Sequence, residues 1–328
     1  MQEKIKNILI INAGGGIGDA LQFLKIFKLL DKEFNNPNIN YYGNDSNNFW
    51  FETTLKSLKP LNVTTIKHYP LYYGFRLNHF FSKIIKAEQK YDLIIDNQSK
   101  IRNSLIYKQI PHKYFLTFAM RGLLSNPLIY LSKKTHTQTR VFMYLEKFLN
   151  KKINFQNYNI EINDIYENEA KRLIDSTKKY IGFSIKAGHP TRSKEIQLVE
   201  IIKTAQYFVD KNYIPVFFIE EKNNKEITEI KNNLPKAYFP EHLAKTELKN
   251  PSLVIALANS MEFNVTIDNG VMHMLGLSSK KLFCFFYKNS KKFKPLRDNV
   301  FIYDCEDENT NIKLLTSKKI IEFIIDKI

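Results

Sequence analysis

A glycine-rich turn near the start of the chain carries the first carboxylate whose position suggests chemistry. Residues 12–21 read Asn-Ala-Gly-Gly-Gly-Ile-Gly-Asp-Ala-Leu, so Asp19 follows the four glycines Gly14, Gly15, Gly16 and Gly18. Glycines let the backbone approach a ligand closely and leave N–H groups at a helix start available to a polar group. A carboxylate beside such a turn can act as a general base. It can equally cap the helix that follows.

The same turn argues against a bound dinucleotide. Counted from Gly14, the G-x-G-x-x-G fingerprint requires a third glycine at the position of Asp19. A carboxylate there would repel a pyrophosphate. The fingerprint also needs an acidic residue after the second strand, and Asp45 is the only nearby candidate. An NAD(P)-dependent oxidoreductase is therefore kept only as an alternative.

A second group of charged residues occupies a loop between a predicted strand and a predicted helix. Lys186, His189, Arg192 and Lys194 lie within nine residues of each other. Cations around a strand-to-helix loop can bind phosphate. A charged loop that simply faces solvent is the alternative. Because His189 has no second histidine at ligand spacing, we predict no metal site here.

The third polar segment follows the strand predicted at 263–267. Asp268, Asn269 and Gly270 begin a helix, and His273 lies about one turn into it. Asp268 or Asn269 can cap this helix, and its first N–H groups would point toward an anion. His273 is near enough to reach a ligand at the helix start. The alternative is an ordinary capped helix whose histidine faces the core.

Strand-like and helix-like patterns alternate along the chain, which predicts an α/β fold with parallel sheets. Apolar runs predict strands at 7–12, 39–42, 61–66, 91–96, 180–184, 214–219, 263–267 and 281–286. Helical spacing covers 21–30, 80–85, 141–148, 198–209, 253–258 and 320–325. The polar stretch 150–168 is interpreted as a linker. We therefore expect domains at 1–165 and 166–328, with a last helix able to pack back on the first domain.

The charge of the chain favours an anionic partner. The sequence has 49 Lys and Arg against 33 Asp and Glu, a net charge of +16. Only seven of the basic residues are Arg, which disfavours base-specific nucleic-acid recognition. The positive electrostatic field suits an anionic substrate or surface, although compositional drift gives the same excess of basic residues.

Two cysteines form no disulfide framework, and no apolar run is long enough to span a membrane. A cytoplasmic location follows as the expectation.

Taken in order, these motifs resemble those of glycosyltransferase family 9, the heptosyltransferase-like enzymes of lipopolysaccharide assembly. Residues 18–24 match the family's Gly-Asp before an apolar helix, and 184–194 resemble its loop with a lysine before a helix. Residues 268–273 match its Asp-(Thr/Ser)-Gly-x-x-His, followed by an apolar strand and Pro295. Two departures lie on the donor side. Asn269 replaces a Thr or Ser, and Ile196 stands where an aromatic residue is common.

The resemblance implies a GT-B fold, in which two Rossmann-like domains with parallel sheets face a cleft. It implies inverting transfer of a heptose-like sugar from a nucleotide-diphosphate donor, without metal or cofactor. The acceptor would be a hydroxyl group of an anionic glycolipid or saccharide. The chain would work in the cytoplasm, in peripheral contact with the inner face of the cytoplasmic membrane, and without nucleic acid.

The resemblance also assigns roles to individual residues. Asp19, beside the glycine turn, would be the general base. Lys194 would neutralise the donor diphosphate, helped by Lys186 or Arg192. The donor site would be shaped by Asp268, Asn269, Gly270 and His273. A second alternative to this function is a non-catalytic basic module that binds membrane or nucleic acid.

Overall fold

The computed structural model describes residues 4–12, 16–43, 49–66, 90–97, 100–131, 137–187 and 194–328. The chain divides into two compact units, residues 1–160 and 161–328. In the described residues, each unit has one five-stranded sheet whose strands all run parallel. The prediction of an α/β fold with two parallel sheets is therefore confirmed. The helix predicted at 80–85 lies outside the described residues.

The first sheet has the strand order β3-β2-β1-β4-β5. Its strands are β1 (Asn7–Ile11), β2 (Asn38–Tyr42), β3 (Val63–Thr65), β4 (Tyr91–Asp96) and β5 (His112–Thr117). The helices described in this unit are α1 (Ile17–Leu21), α2 (Leu24–Phe34), α3 (Ile101–Tyr107) and α4 (Thr137–Leu149).

The second sheet has the order β10-β9-β8-β6-β7. Its strands are β6 (Lys179–Ser184), β7 (Tyr213–Phe217), β8 (Phe263–Ile267), β9 (Lys281–Phe286) and β10 (Val300–Asp304). The longer helices of this unit are α5 (Asp164–Leu173), α6 (Leu198–Val209) and α7 (Asn224–Asn233). The remaining helices are α8 (Pro240–Leu243), α9 (Pro251–Asn259), α10 (Gly270–Leu275), α11 (Ser290–Phe293) and α12 (Ser317–Ile325).

Continuous apolar runs become the central strands because both faces of a parallel sheet are covered. Ile8, Ile10 and Ile11 of β1 are fully buried, as are Phe283 and Phe285 of β9. The last helix α12 packs on its own sheet, where the ring of Phe323 lies 5.6 Å from that of Phe285.

Each sheet contains one point where the chain order of its strands reverses. In the first sheet the reversal falls between β1 and β4, and in the second it falls between β6 and β8. Open parallel sheets bind ligands outside the carboxyl ends of the two strands at such a point. The polar segments after β1, β6 and β8 therefore lie where an α/β sheet offers a ligand site.

Two strands, β5 and β10, have no counterpart in the sequence-based prediction. Both are the last strands at one edge of their sheets, and Phe115 of β5 also forms an isolated antiparallel bridge with Asn126. Four of the five residues of β10 are only half-buried, although its sequence, Val-Phe-Ile-Tyr-Asp, is mostly apolar. The predicted linker at 150–168 is wrong at its end, because α5 begins at Asp164. Asn163 caps this helix, and Tyr166 on the helix is buried.

Among the described residues, no helix is both long enough and apolar enough to cross a lipid bilayer.

Gly182, in the middle of β6, provides a test of this packing. A Cβ atom built there would lie 2.2 Å from Oδ1 of Asn264 on β8 and 2.7 Å from Cε2 of Phe218. We expect Gly182→Ala to lower the free energy of unfolding by about 1–3 kcal/mol, because the strands must separate to admit a methyl group. Chemical denaturation measures the change. Val199→Ala, on an exposed position of α6, is the control, and equal stability of both variants would contradict this close approach of β6 and β8.

Candidate active site

Asp19 lies on the short helix α1, directly after the carboxyl end of β1. Its Oδ2 atom accepts a hydrogen bond of 3.2 Å from the backbone N–H of Gly16, the residue that precedes α1. The capping role anticipated from the sequence is therefore present. It uses one carboxylate oxygen, and Oδ1 has no hydrogen-bond partner among the described residues. Within the described part of the chain, the half-buried carboxylate therefore keeps an oxygen that can accept a proton.

Asn12, which the sequence patterns did not indicate, holds the segment that carries Asp19. The side chain is 1 % exposed, and its Nδ2 atom donates to the backbone oxygen of Asp19 at 3.3 Å and to the Tyr41 hydroxyl at 2.8 Å. Its Oδ1 atom accepts from Nδ2 of Asn97 at 3.1 Å. Asn12 therefore links α1 to the ends of β2 and β4. The only signal in the sequence is an amide at the end of an apolar strand.

Tyr41 contributes a neutral hydroxyl to this network. Burial raises the pKa of Tyr41 above its ordinary value. The hydrogen bond from Asn12 opposes that rise, and the negative charge of Asp19 adds to it. Because the phenol stays protonated, it places no second negative charge beside Asp19.

A second buried network lies at the carboxyl ends of β4 and β5. The Asp96 side chain is fully buried and accepts hydrogen bonds from the hydroxyls of Ser104 on α3 and Thr117 on β5. The Thr117 hydroxyl also accepts from the backbone N–H of Ala119. These bonds fix the starts of the two segments that follow β4 and β5, beside the strand that leads to Asp19.

In the second unit, Lys194 forms an ion pair with Asp268. The Nζ atom of Lys194 contacts Oδ2 of Asp268, and the two side chains are 24 % and 11 % exposed. Asp268 directly follows β8, and Lys194 precedes α6. The pair therefore joins the two segments at the reversal point of this sheet. It leaves a partly exposed ammonium group at the ligand edge.

Lys186, directly beyond β6, is surrounded by carboxylates. Its Nζ atom lies 2.7 Å from Oε1 of Glu226 and 3.4 Å from Oε2 of Glu195. Burial lowers the pKa of Lys186, but the hydrogen bond to Glu226 and both negative charges outweigh it and raise the pKa above its usual value. The same hydrogen bond lowers the pKa of Glu226. Lys186 is thus a charged residue already compensated within the protein.

Ile196, the second residue that departs from the family pattern, is buried. Ile196 is 6 % exposed and belongs to the core of the second unit. Together with Ile185 it lines a cavity of about 200 Å³, whose rim carries Lys186, Glu195 and Glu226. The position therefore supplies an apolar wall beside charged groups.

Asn269, one of the two residues that the sequence offered as a cap, is the N-cap of α10. Its Oδ1 atom accepts from the backbone N–H of Met272 at 2.7 Å. Its Nδ2 atom donates to the Ser184 hydroxyl and to the backbone oxygen of Lys186, both at 2.9 Å. Both amide protons are therefore used inside the protein. Asn269 joins the loop after β6 to the start of α10.

The structure describes some of the remaining predicted site residues and not others. Gly270 is the first residue of α10, and His273, one turn further, is half-buried. Gly16 precedes α1 and is exposed, whereas Gly18 lies within the helix and is buried. Gly14, Gly15 and Arg192 lie outside the described residues. Within the part of the chain that the structure describes, no cluster of three His, Cys, Asp or Glu side chains is arranged to hold a metal ion.

The comparisons with known proteins agree on one group. The family model described as glycosyltransferase family 9 (heptosyltransferase) matches residues 81–319. The chain is similar to the crystal structure of a glycosyltransferase of family 9 from Veillonella parvula. That structure is 15 % identical, covers 99 % of this chain and 98 % of its own, and has a TM-score of 0.71. A search of curated proteins finds no match.

Two Escherichia coli heptosyltransferases are also similar in structure. WaaC with ADP-2-deoxy-2-fluoro heptose is 12 % identical, with a TM-score of 0.68 over 98 % of this chain and 100 % of that one. ADP-heptose lps heptosyltransferase II is 16 % identical, with a TM-score of 0.61 over 98 % of both chains. These likenesses confirm the predicted α/β fold of the GT-B type.

Asn269 allows a direct test of the described site. We expect Asn269→Ala to lower the free energy of unfolding by about 1–3 kcal/mol, because it removes a helix cap and two buried hydrogen bonds. Asn269→Asp keeps the acceptor for Met272 but buries a negative charge opposite the backbone oxygen of Lys186, so it should not restore stability. Asn154→Ala removes a single exposed bond and is the matched control. If chemical denaturation finds the Asn269→Ala protein as stable as this control, Asn269 does not hold the loop after β6 to the start of α10.

Proposed function

Because the chain belongs to glycosyltransferase family 9, we propose that it transfers a heptose-like sugar from a nucleotide-diphosphate donor. The proposed acceptor is a hydroxyl group of an anionic glycolipid or saccharide, and the anomeric carbon is inverted. Family and fold support sugar transfer itself. The finer donor assignment draws on the similar structures, one of which is an ADP-heptose heptosyltransferase.

The observation that carries the proposal is the carboxylate of Asp19 at the reversal point of the first sheet. Its Oδ1 atom is free among the described residues, whereas Gly16 holds Oδ2. In the proposed step, Asp19 accepts the proton of the acceptor hydroxyl as the acceptor oxygen bonds to the anomeric carbon. The bond from that carbon to the diphosphate breaks at the same time, and the electron pair leaves with the diphosphate. Attack from the face opposite the leaving group inverts the centre.

On the donor side, Lys194 is the cation best suited to meet the leaving diphosphate. Its ammonium is partly exposed and is oriented by Asp268, so a phosphate oxygen can join a group that is already in place. The proposal also retains Arg192 and Lys186. Since Lys186 already contacts Glu195 and Glu226, its main role is to hold the loop after β6 in position. These fixed charges would serve where another enzyme uses a metal ion.

Asn269, Gly270 and His273 complete the proposed donor site in different ways. Asn269 has no free amide proton and therefore acts by holding the loop and α10 together. Gly270 opens α10 with no side chain in the way of a ligand. His273, one turn later, presents a half-buried imidazole.

Two other functions were open from the sequence alone. Membership of a glycosyltransferase family disfavours both a nicotinamide-dependent oxidoreductase and a non-catalytic basic module. We also propose that the enzyme works in the cytoplasm, at the inner face of the membrane that holds its acceptor. The net charge of +16 supports an anionic partner there.

We expect Asp19→Asn to lower kcat by about 10²–10⁴-fold, because the amide cannot accept the proton of the acceptor hydroxyl. Binding of a nucleoside diphosphate should be unchanged, since the proposed donor residues all lie in the second unit. Transfer from ADP-heptose and calorimetric binding of ADP measure the two effects. Asp31→Asn, a carboxylate of the neighbouring helix α2, is the control. Full activity of Asp19→Asn would remove the assigned base.

A further inference from the structure

A long segment of the first unit contains no acidic residue. From Asn97 to Leu145 the sequence has eight Lys and Arg residues and neither Asp nor Glu. The segment covers α3, β5, the turn after β5 and the start of α4. Positive charge is therefore concentrated here, with no carboxylate side chain in the same stretch of the chain. None of the proposed catalytic or donor-binding residues belongs to this segment.

The same segment exposes an unusual number of large apolar side chains. Six of them are between 36 % and 67 % exposed: Ile101, Leu105, Met120, Leu123, Leu128 and Tyr130. Large apolar side chains that are exposed singly need no explanation, but a group of them indicates an interaction surface. We call these six side chains, with the exposed cations Lys100, Lys108 and Arg121, the apolar-basic face.

Hydrogen bonds show that the parts of this face are neighbours in space. The Nζ atom of Lys108, directly after α3, donates to the backbone oxygen of Leu124 at 2.9 Å. The Nη1 atom of Arg121 donates to the Tyr130 hydroxyl at 3.1 Å, and the backbone N–H of Leu131 donates to the oxygen of Arg121. Helix α3, the turn at 119–123 and the segment 128–131 are therefore adjacent in the structure.

The backbone of the turn holds its apolar side chains outward. Met120 and Arg121 have φ values of 49° and 57°, and Gly122 has φ 95°. A Cβ atom at Gly122 would lie 2.0 Å from the backbone oxygen of Ile129 and from the Tyr144 hydroxyl. Left-handed backbone at residues with side chains is costly and is kept where the surrounding structure demands it. Here it leaves Met120 and Leu123 exposed beside Arg121.

We propose that the apolar-basic face binds a lipid bilayer that carries anionic headgroups. Exposed apolar side chains together with Lys and Arg, in a stretch of the chain without Asp or Glu, match the boundary between acyl chains and negative headgroups. The face follows β4 and β5, whose carboxyl ends share the sheet edge with that of β1 and hence with Asp19. A lipid-linked acceptor would therefore be held at the edge that carries the proposed base.

This inference assigns a surface to the membrane partner of the proposed function, but its test needs no sugar transfer. The purified full-length protein is sedimented with vesicles of phosphatidylcholine alone and with vesicles that contain a third of phosphatidylglycerol. We expect binding to the anionic vesicles, weakened by added salt. We expect Leu123→Ser with Leu128→Ser, and separately Lys100→Glu with Lys108→Glu, each to lower the partition coefficient about tenfold or more.

Matched variants separate this face from general effects of polarity and charge. Leu243→Ser with Leu314→Ser changes two leucines of the second unit that are 61 % and 70 % exposed. Lys171→Glu with Lys236→Glu makes the same change in net charge at exposed positions elsewhere. Both controls should bind anionic vesicles like the unaltered protein. Circular dichroism and thermal unfolding establish that every variant is folded.

Three results would overturn the proposal. One is equal binding of the face variants and the controls. Another is binding to phosphatidylcholine as strong as to anionic vesicles, which would remove the charge argument. The third is a dimer in solution that the leucine variants split, without vesicle binding by the unaltered protein, since the face would then be covered by a second copy. If the unaltered protein binds anionic vesicles but transfers no sugar, the proposed function is refuted and the membrane-binding proposal still stands.

Discussion

The site depends on a constraint of parallel sheets, which place the carboxyl ends of neighbouring strands at one edge. Where the strand order reverses, the segments after the two central strands separate and leave room for a ligand. In the first unit the strands concerned are β1 and β4, and in the second they are β6 and β8. The positions of Asp19, Lys194 and Asp268 follow from this topology, although the three residues are far apart in sequence.

Buried amide side chains hold the segments that carry the site residues in place. Asn12 binds the backbone of Asp19 and is held in turn by Asn97 after β4. Asn269 performs the equivalent task in the second unit, where it joins the loop after β6 to α10. A neutral amide suits this task because it donates and accepts hydrogen bonds without placing a charge beside the reacting groups.

The charges of the second unit are balanced more closely than the composition of the chain indicates. In the described residues, Lys186 contacts Glu195 and Glu226, and Lys194 contacts Asp268. A donor diphosphate must therefore share Lys194 with a carboxylate that already orients it. A long stretch that has eight cations and no carboxylate side chain lies instead between residues 97 and 145 of the first unit. Residues 1–160 have 23 Lys and Arg against 10 Asp and Glu, so most of the net charge of +16 lies in the first unit and not in the unit of the proposed donor site.

The sequence predicted the central strands and the polar segments that follow them, because buried strands give long apolar runs and the segments after them break the pattern. It did not predict the edge strands β5 and β10, because an apolar run of only three or four residues does not distinguish a strand from a helix. Nor did it indicate Asn12, or the carboxylates around Lys186, because Glu226 is forty residues away on another helix. Contacts between distant segments leave no local pattern in the chain.

The most direct test of the central claim is hydrogen–deuterium exchange of the full-length protein with ADP, UDP, GDP or CDP. The account predicts that at least one of them slows exchange at 184–187, 194–197 and 268–273, while 16–21 exchanges as before. The Asp19→Asn protein should show the same protection, because the proposed base is not part of the diphosphate site. Protection confined to 16–21, or none with any of the four nucleotides, would contradict the account.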